Sequence, residues 1–182
     1  LKAALRSLVE GLGGSSRFFS RGDSVLIKPN MLSASAPDEC ITTHPEVVRA
    51  VVLMALEAGA RPFIADSPGL DRFSDVARRT GMEAVARELN IPCVELDDPA
   101  PLPPAEGAVF KKVEVSRLAL SADRIINIPK LKTHAQMMLP LGVKNLFGPV
   151  VSQRKAQWHY NVGLRRESFA DLHPDIASGL AP

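Results

Sequence analysis

Cysteine is scarce in this sequence. Cys40 and Cys93 stand alone and far apart, which provides neither a metal-ligand pair nor a disulfide framework and fits a reducing, cytoplasmic setting. No apolar run approaches the roughly 18 residues of a membrane span. No charged start with an apolar signal core precedes the first element, so the chain reads as a cytoplasmic, non-exported protein with no membrane segment. Charge of one sign is also lacking: 22 basic residues against 20 acidic ones leave a formal +2. That excludes the broad basic surface of a dedicated nucleic-acid binder, so any preference for anions must be local. There is no G-x-G-x-x-G after the first strand and no Walker loop, and HxxxH, HExxH and CxxC spacings are absent. No dinucleotide, ATP or metal fingerprint is therefore present.

What is there is an alternation of short apolar runs and helical patterns. The 182 residues, nearly half of them apolar, suffice for one sizeable core, and the expectation is one α/β domain over 1–182. The start at Leu1 inside a helical pattern, and the stop at Ala181-Pro182 soon after a new helix begins, read as the ends of a domain cut short at its carboxyl side.

Ala3, Leu5, Leu8, Val9 and Leu12 recur at helical spacing, and Gly13 to Ser16 ends that helix. Ser24-Val25-Leu26-Ile27, between Gly22-Asp23 and Pro29, predicts a buried strand. A helix follows with Thr43 as its cap, Pro45 in its first turn, Glu46 completing a capping box and Gly59 closing it. Arg61 to Ala65 predicts a second strand, and a helical stretch broken at Gly81 precedes a third at Cys93 to Leu96. Four prolines between Pro99 and Pro104 predict an exposed excursion or a semi-rigid connection. Val109 to Val115 alternates as a strand, and Asp123 to Ile128 supplies another. The fold class predicted is a Rossmann-like open, mostly parallel sheet with flanking helices.

Three apolar runs switch abruptly to polar residues at their carboxyl ends: Lys28 with Asn30, Asp66 with Ser67, and Lys130 and Lys132 leading to His134. In an open parallel sheet such ends converge on the ligand crevice. Pro29, Pro68 and Pro129 stiffen the turns beside them. Lysines gathered there repel one another and attract a carboxylate or phosphate, with Asp66 as the internal counter-charge. A lysine after a strand is more often a solvated loop residue, but Lys130 and Lys132 occur together, with Lys144 and Asn145 following in a glycine-punctuated stretch. His134, among lysines in a polar loop, is the better candidate for proton transfer. His44 reads on local grounds as a first-turn helix residue. The stretch Arg154, Lys155, Trp158, His159, Tyr160, Arg165 and Arg166 mixes cations with aromatics, suiting a flap, a partner surface or a nucleotide. Nucleic acid is disfavoured because no basic stripe continues it.

The strings VLIKPNMLS, TTHPEVVRAVVLMALEAGA, IADSPG, INIPKLKTH and GVKNLFG, in that order from Val25 to Gly148, resemble domain-of-unknown-function family 362. This is a family of uncharacterised bacterial and archaeal proteins. Its members are often described as iron-sulfur proteins because many carry an appended ferredoxin-like module. This chain has no iron-sulfur cysteine motif, so the resemblance implies an electron-transfer partner or such a module outside it and leaves the cofactor unknown. Carried over by position, the resemblance implies polar site residues at Lys28, Asn30, Thr43, His44, Asp66, Ser67, Lys130, Lys132, His134, Lys144 and Asn145. It thereby makes His44 a second candidate for proton transfer. The function expected is the binding of a small carboxylate or phosphate compound as part of an enzyme with a possible redox link. A non-catalytic binding or scaffold module is the alternative.

Overall fold

The structure, a computed structural model, describes residues 1–132, 142–151, 158 and 166–180, with 166–170 in their backbone only. It is an α/β fold built on a four-stranded sheet. The strands are β1 (Ser24–Pro29), β2 (Arg61–Asp66), β3 (Cys93–Glu95) and β6 (Arg124–Ile128). All pair in parallel, in the order β3-β2-β1-β6. The architecture is that of a Rossmann-like open sheet flanked by helices. From β1 the chain steps outward to β2 and β3, then returns to lay β6 on the other side of β1. Strand order reverses there, and in open parallel sheets such a point is where ligand crevices form, at the carboxyl ends of the strands.

Side chains alternate across β1 and so feed two cores. Val25 and Ile27, with Ile64 of β2, meet Val48 and Val52 of α2 (Pro45–Glu57), Val76 of α3 (Phe73–Arg79), and Met82 and Val85 of α4 (Met82–Glu88). Leu26, with Phe63 and Ala65, faces Ala119 of α5 (Arg117–Leu120) and Leu172 and Ile176 of α7 (Arg166–Leu180). Each fully buried Val, Leu or Ile contributes roughly 1.5–3 kcal/mol. Helix α1 (Lys2–Gly11) lies outside, with Leu5 and Val9 against the first core. The helix break expected at Gly81 is found: Gly81 has φ 79°, and a Cβ there would lie 3.2 Å from Pro45 Cγ. Only glycine takes that turn without strain.

Three expectations are corrected. The cap of α2 is His44, whose Nδ1 accepts from the Glu46 amide at 3.2 Å, and not Thr43. Thr43 is instead drawn into the sheet, where its hydroxyl donates to the Ile128 carbonyl at 2.7 Å. The proline excursion is structured. Pro99–Pro101 forms β4, antiparallel to β5 (Glu114–Ser116), with Ala100 and Leu102 buried. The Leu102 amide donates to Val113 O, and the Arg117 amide donates to Asp98 O. The two prolines therefore occupy the intervening positions, whose nitrogens point away from the ladder. Finally, Val109 to Val113 is not strand, because the Phe110 amide is held by Asp175 Oδ2 of α7 at 2.8 Å. Among the described residues no helix is long and apolar enough to cross a membrane.

Candidate functional site

The reversal of strand order brings together the ends of β1, β2 and β6. Lys28, the fifth residue of β1, lies beneath the surface and pairs with Asp66 at the end of β2, Nζ to Oδ1 at 2.8 Å, with side-chain exposures of 1% and 6%. The same ammonium donates to the Pro29 carbonyl at 2.6 Å. Asp66 also accepts from the Met31 amide at 2.9 Å and the Ser67 amide at 2.8 Å. A buried ion pair is tolerated when its remaining lone pairs and protons are satisfied, and here the backbone of both loops satisfies them. Burial pushes the Lys28 ammonium below its ordinary range, and Asp66 partly offsets this. Lys28 and Asp66 thus hold the loops together, and neither presents its charge to solvent. Ser67 is buried beside them.

Gly148, in a turn after α6 (Gly142–Asn145), covers this pair. A Cβ on it would fall within 2.5 Å of both Asp66 Oδ1 and Lys28 Nζ. Here the need for glycine comes from close approach.

Above the ion pair runs a relay of amides. Lys132 Nζ donates to Asn30 Oδ1 at 2.9 Å and to the Ile41 carbonyl at 3.2 Å. Asn30 Nδ2 donates to Asn145 Oδ1 at 3.1 Å, and Asn145 Nδ2 donates to Asn127 Oδ1 at 2.8 Å. Asn127 Nδ2 ends the relay on the Gly142 carbonyl at 2.7 Å. An ammonium can only donate and a carbonyl only accept, so the two ends fix the orientation of all three amides. Asn145 is further tied to the Lys28 carbonyl at 3.2 Å. Thr43 completes the frame: its Oγ1 accepts from the Asn30 amide at 2.8 Å while donating to Ile128 O, which clamps the β1 loop to the end of β6.

The cations on this frame are Lys130, Lys132 and Lys144, all half-buried. Burial pushes Lys132 below its ordinary range, Asp66 opposes that, and Lys130 and Lys28 add to it. Lys144 is pushed down to about 8, first by burial and then by the nearby Lys132 charge. Among the described residues no carboxylate pairs with Lys130, Lys132 or Lys144. The arrangement can hold negative charge and offers one amine that changes protonation near neutral pH.

Of the residues singled out from sequence, Lys28, Asn30, Asp66, Ser67, Lys132 and Asn145 meet here through direct contacts, while the charge of Lys130 acts on Lys132 and that of Lys132 on Lys144 through space. His44 does not join them: it is exposed and engaged in capping its own helix. His134 lies outside the described residues, as do Arg154, Lys155, His159, Tyr160 and Arg165. Trp158 stands edge-on to Phe110, centroids 5.5 Å apart, against the second core. Sequence reasoning left Asn127 and Gly148 out of the site. Asn127 is signalled by one polar residue interrupting the apolar run of β6. Gly148 has no comparable signal, because its constraint comes from side chains distant in sequence.

Among the described residues no three His, Cys, Asp or Glu side chains gather to hold a metal ion. Nor do the cysteines fit an iron-sulfur cluster, which requires several thiolates. Cys40 is exposed, while Cys93 on β3 has its thiol pushed up to about 12 by burial, with Glu83 adding to it.

A family model described as Domain of unknown function (DUF362) matches residues 25–182. Thylakoid-associated protein sll1697 of Synechocystis sp. (strain ATCC 27184 / PCC 6803 / Kazusa) is 42% identical over 183 residues, covering 100% of this chain and 56% of that protein. The chain therefore spans about half the length of the curated relative it matches. With the motifs from Val25 to Gly148 meeting in one structural unit and the family match running through them, the chain belongs to the DUF362 family.

Proposed function

We propose that this domain binds a small carboxylate or phosphate compound at the carboxyl ends of β1 and β6, as the ligand-holding part of an enzyme. The observation that carries the reading is the cationic rim. Lys132 is fixed by Asn30 and Ile41, Lys144 lies close enough to feel its charge, and among the described residues no carboxylate forms an ion pair with either, Asp66 being itself paired with Lys28. An anion seated between them relieves a repulsion that the fold maintains without it. Because the amide relay is already set, little side-chain freedom remains to be lost on binding. Histidine proton transfer belongs to the same reading through His134. A redox-linked reaction would draw electrons from a separate partner or an appended ferredoxin-like module, since the two cysteines present do not fit a cluster.

The reading is tested by isothermal titration of the full chain with inorganic phosphate and with oxalate at pH 8, in two buffers of different ionisation enthalpy. Expected are a dissociation constant on the order of 1 mM or tighter, near −4 kcal/mol, and proton uptake on binding as Lys144 is drawn toward its charged form. Absence of heat with both anions would favour a second reading, a non-catalytic scaffold module. One observation supports that reading: Lys28, Asp66 and all three relay asparagines are engaged with one another and with backbone.

The cytoplasmic setting suggested by the unpaired cysteines is compatible with the thylakoid association in the Synechocystis relative's name if the domain works on the cytoplasmic face of such a membrane. Fractionation followed by protease treatment of intact vesicles tests this. Protection of the domain from protease would contradict it.

A further inference from the structure

We infer that the carboxyl end of the sheet is a docking surface for an anionic lipid bilayer, into which Leu32, Leu70 and Leu131 insert while the neighbouring lysines meet the headgroups. The inference goes beyond the small-anion reading and does not depend on it.

The three leucines belong to three neighbouring strands. β2, β1 and β6 lie side by side and run in parallel, so their carboxyl ends share one end of the sheet. Adjacent strands are about 4.8 Å apart, which brings the three strand ends within roughly 10 Å. Leu32 follows the last residue of β1 by three positions, Leu131 follows that of β6 by three, and Leu70 follows that of β2 by four. Leu70 is 102% exposed, Leu131 68% and Leu32 51%. Direct contacts tie their loops together. The Ala34 amide donates to Asp71 Oδ2 at 2.8 Å, joining the Leu32 loop to the Leu70 loop. Lys132 Nζ joins the Leu131 loop to the Leu32 loop through Asn30 Oδ1 at 2.9 Å, and it reaches the carbonyl of Ile41, itself exposed, at 3.2 Å.

Single exposed leucines are ordinary on a protein surface, but several gathered at one end by cross-linked loops mark a contact surface. Charge indicates its partner. Lys130 and Lys132 flank Leu131 on the β6 side, and among the described residues neither forms an ion pair with a carboxylate. Opposing charge lies toward the other edge, with Glu95 at the end of β3 and Asp71 after β2, and at Asp38 ahead of Ile41. The exposed leucines of α1 differ: Lys2 and Arg6 on that helix are both paired with Glu57. Leucines projecting singly from separate loops beside free cations match a bilayer, because its acyl layer conforms to each side chain. Binding of this kind grows with buried apolar area and with attraction to anionic lipid.

The experiment is co-sedimentation of the full chain with vesicles of phosphatidylcholine alone and of phosphatidylcholine mixed with phosphatidylglycerol. The inference expects binding to the anionic vesicles at least about tenfold tighter than to the neutral ones, weakened by added salt. A Leu70→Ser, Leu131→Ser double variant should bind the anionic vesicles at least about tenfold more weakly, whereas Leu8→Ser, an exposed change on α1, should bind like the wild type. Circular dichroism checks that each variant keeps its fold. The double variant should also titrate inorganic phosphate as the wild type does, because neither leucine belongs to the lysine and asparagine frame. Absence of binding to anionic vesicles, or binding that the double variant keeps in full, would overturn the inference. Phosphate calorimetry then shows separately whether the anion site stands. Equal binding to both kinds of vesicle would overturn the headgroup assignment. Self-association that the double variant abolishes, without vesicle binding, would assign the leucines to a second copy of the chain and overturn the inference equally.

Discussion

Lys28 Nζ lies 2.8 Å from Asp66 Oδ1, with both side chains almost wholly withdrawn from solvent, and this contact fastens the ends of the two central parallel strands β1 and β2. Everything above it depends on that junction: the Met31 and Ser67 amides converge on the same carboxylate, and Gly148 lies across the pair.

Removing one partner of a buried, satisfied pair leaves the other uncompensated, which typically costs about 3–5 kcal/mol. Asp66→Ala is expected to be the more damaging change, because it orphans the Lys28 ammonium and two backbone amides. Lys28→Met leaves Asp66 still accepting from both amides. Urea denaturation of the two variants should rank them in that order, and equal losses would mean that the amides contribute little.

Gly148→Ala places a Cβ into the ion pair, and overpacking of this kind costs about 1–3 kcal/mol. Gly69→Ala, at a position where a Cβ meets nothing within 4 Å, is the control and should be nearly neutral. The comparison is read from the shift in denaturation midpoint at unchanged slope.

Thr43 and His44 exchange the roles that their sequence suggests. Thr43→Val removes a hydroxyl that bridges the Asn30 amide and the Ile128 carbonyl. It should cost about 1–3 kcal/mol through the stranded buried groups and weaken anion binding by loosening the β1 loop. His44→Asp keeps an N-cap acceptor and should preserve stability to within about 1 kcal/mol. If His44→Asp keeps the fold but abolishes phosphate binding, the histidine belongs to the site after all.

These exchanges show what the sequence disclosed and what it did not. Val25-Leu26-Ile27 and Ile125-Ile126 announce buried strands because strand burial is written in local apolar runs, and of the polar residues that follow them Asn30 and Lys132 are found in contact. The cap of α2 was misplaced by one residue because Thr43 has a tertiary partner, Ile128 O, 85 positions away. The prolines at Pro99 and Pro101 argued against strand, yet they occupy just the ladder positions that need no donor. The burial of Lys28 against Asp66 is set by the pairing of β1 with β2, which local pattern does not reveal.

Lys144 also makes stability depend on pH. Its pKa is lowered from 10.5 to about 8 on folding, so between those values the unfolded chain binds more protons, and stability rises with pH across that interval. Below about 8 both states are protonated and the full penalty for burying the charge is present. Thermal or urea unfolding of the wild-type protein and Lys144→Met should therefore diverge below pH 8 in favour of the variant and converge toward pH 10.5. Parallel curves throughout would show that Lys144 is not desolvated.

The central claim is that Lys132 and Lys144 form an anion site on a frame held by other residues. It is tested most directly by phosphate titration of the wild-type chain and of a Lys132→Met, Lys144→Met double variant, each checked for an unchanged fold by circular dichroism. The account predicts saturable binding to the wild-type protein and at least about a hundredfold weakening in the double variant, close to 2.7 kcal/mol. Phosphate affinity that is the same in both proteins would contradict it.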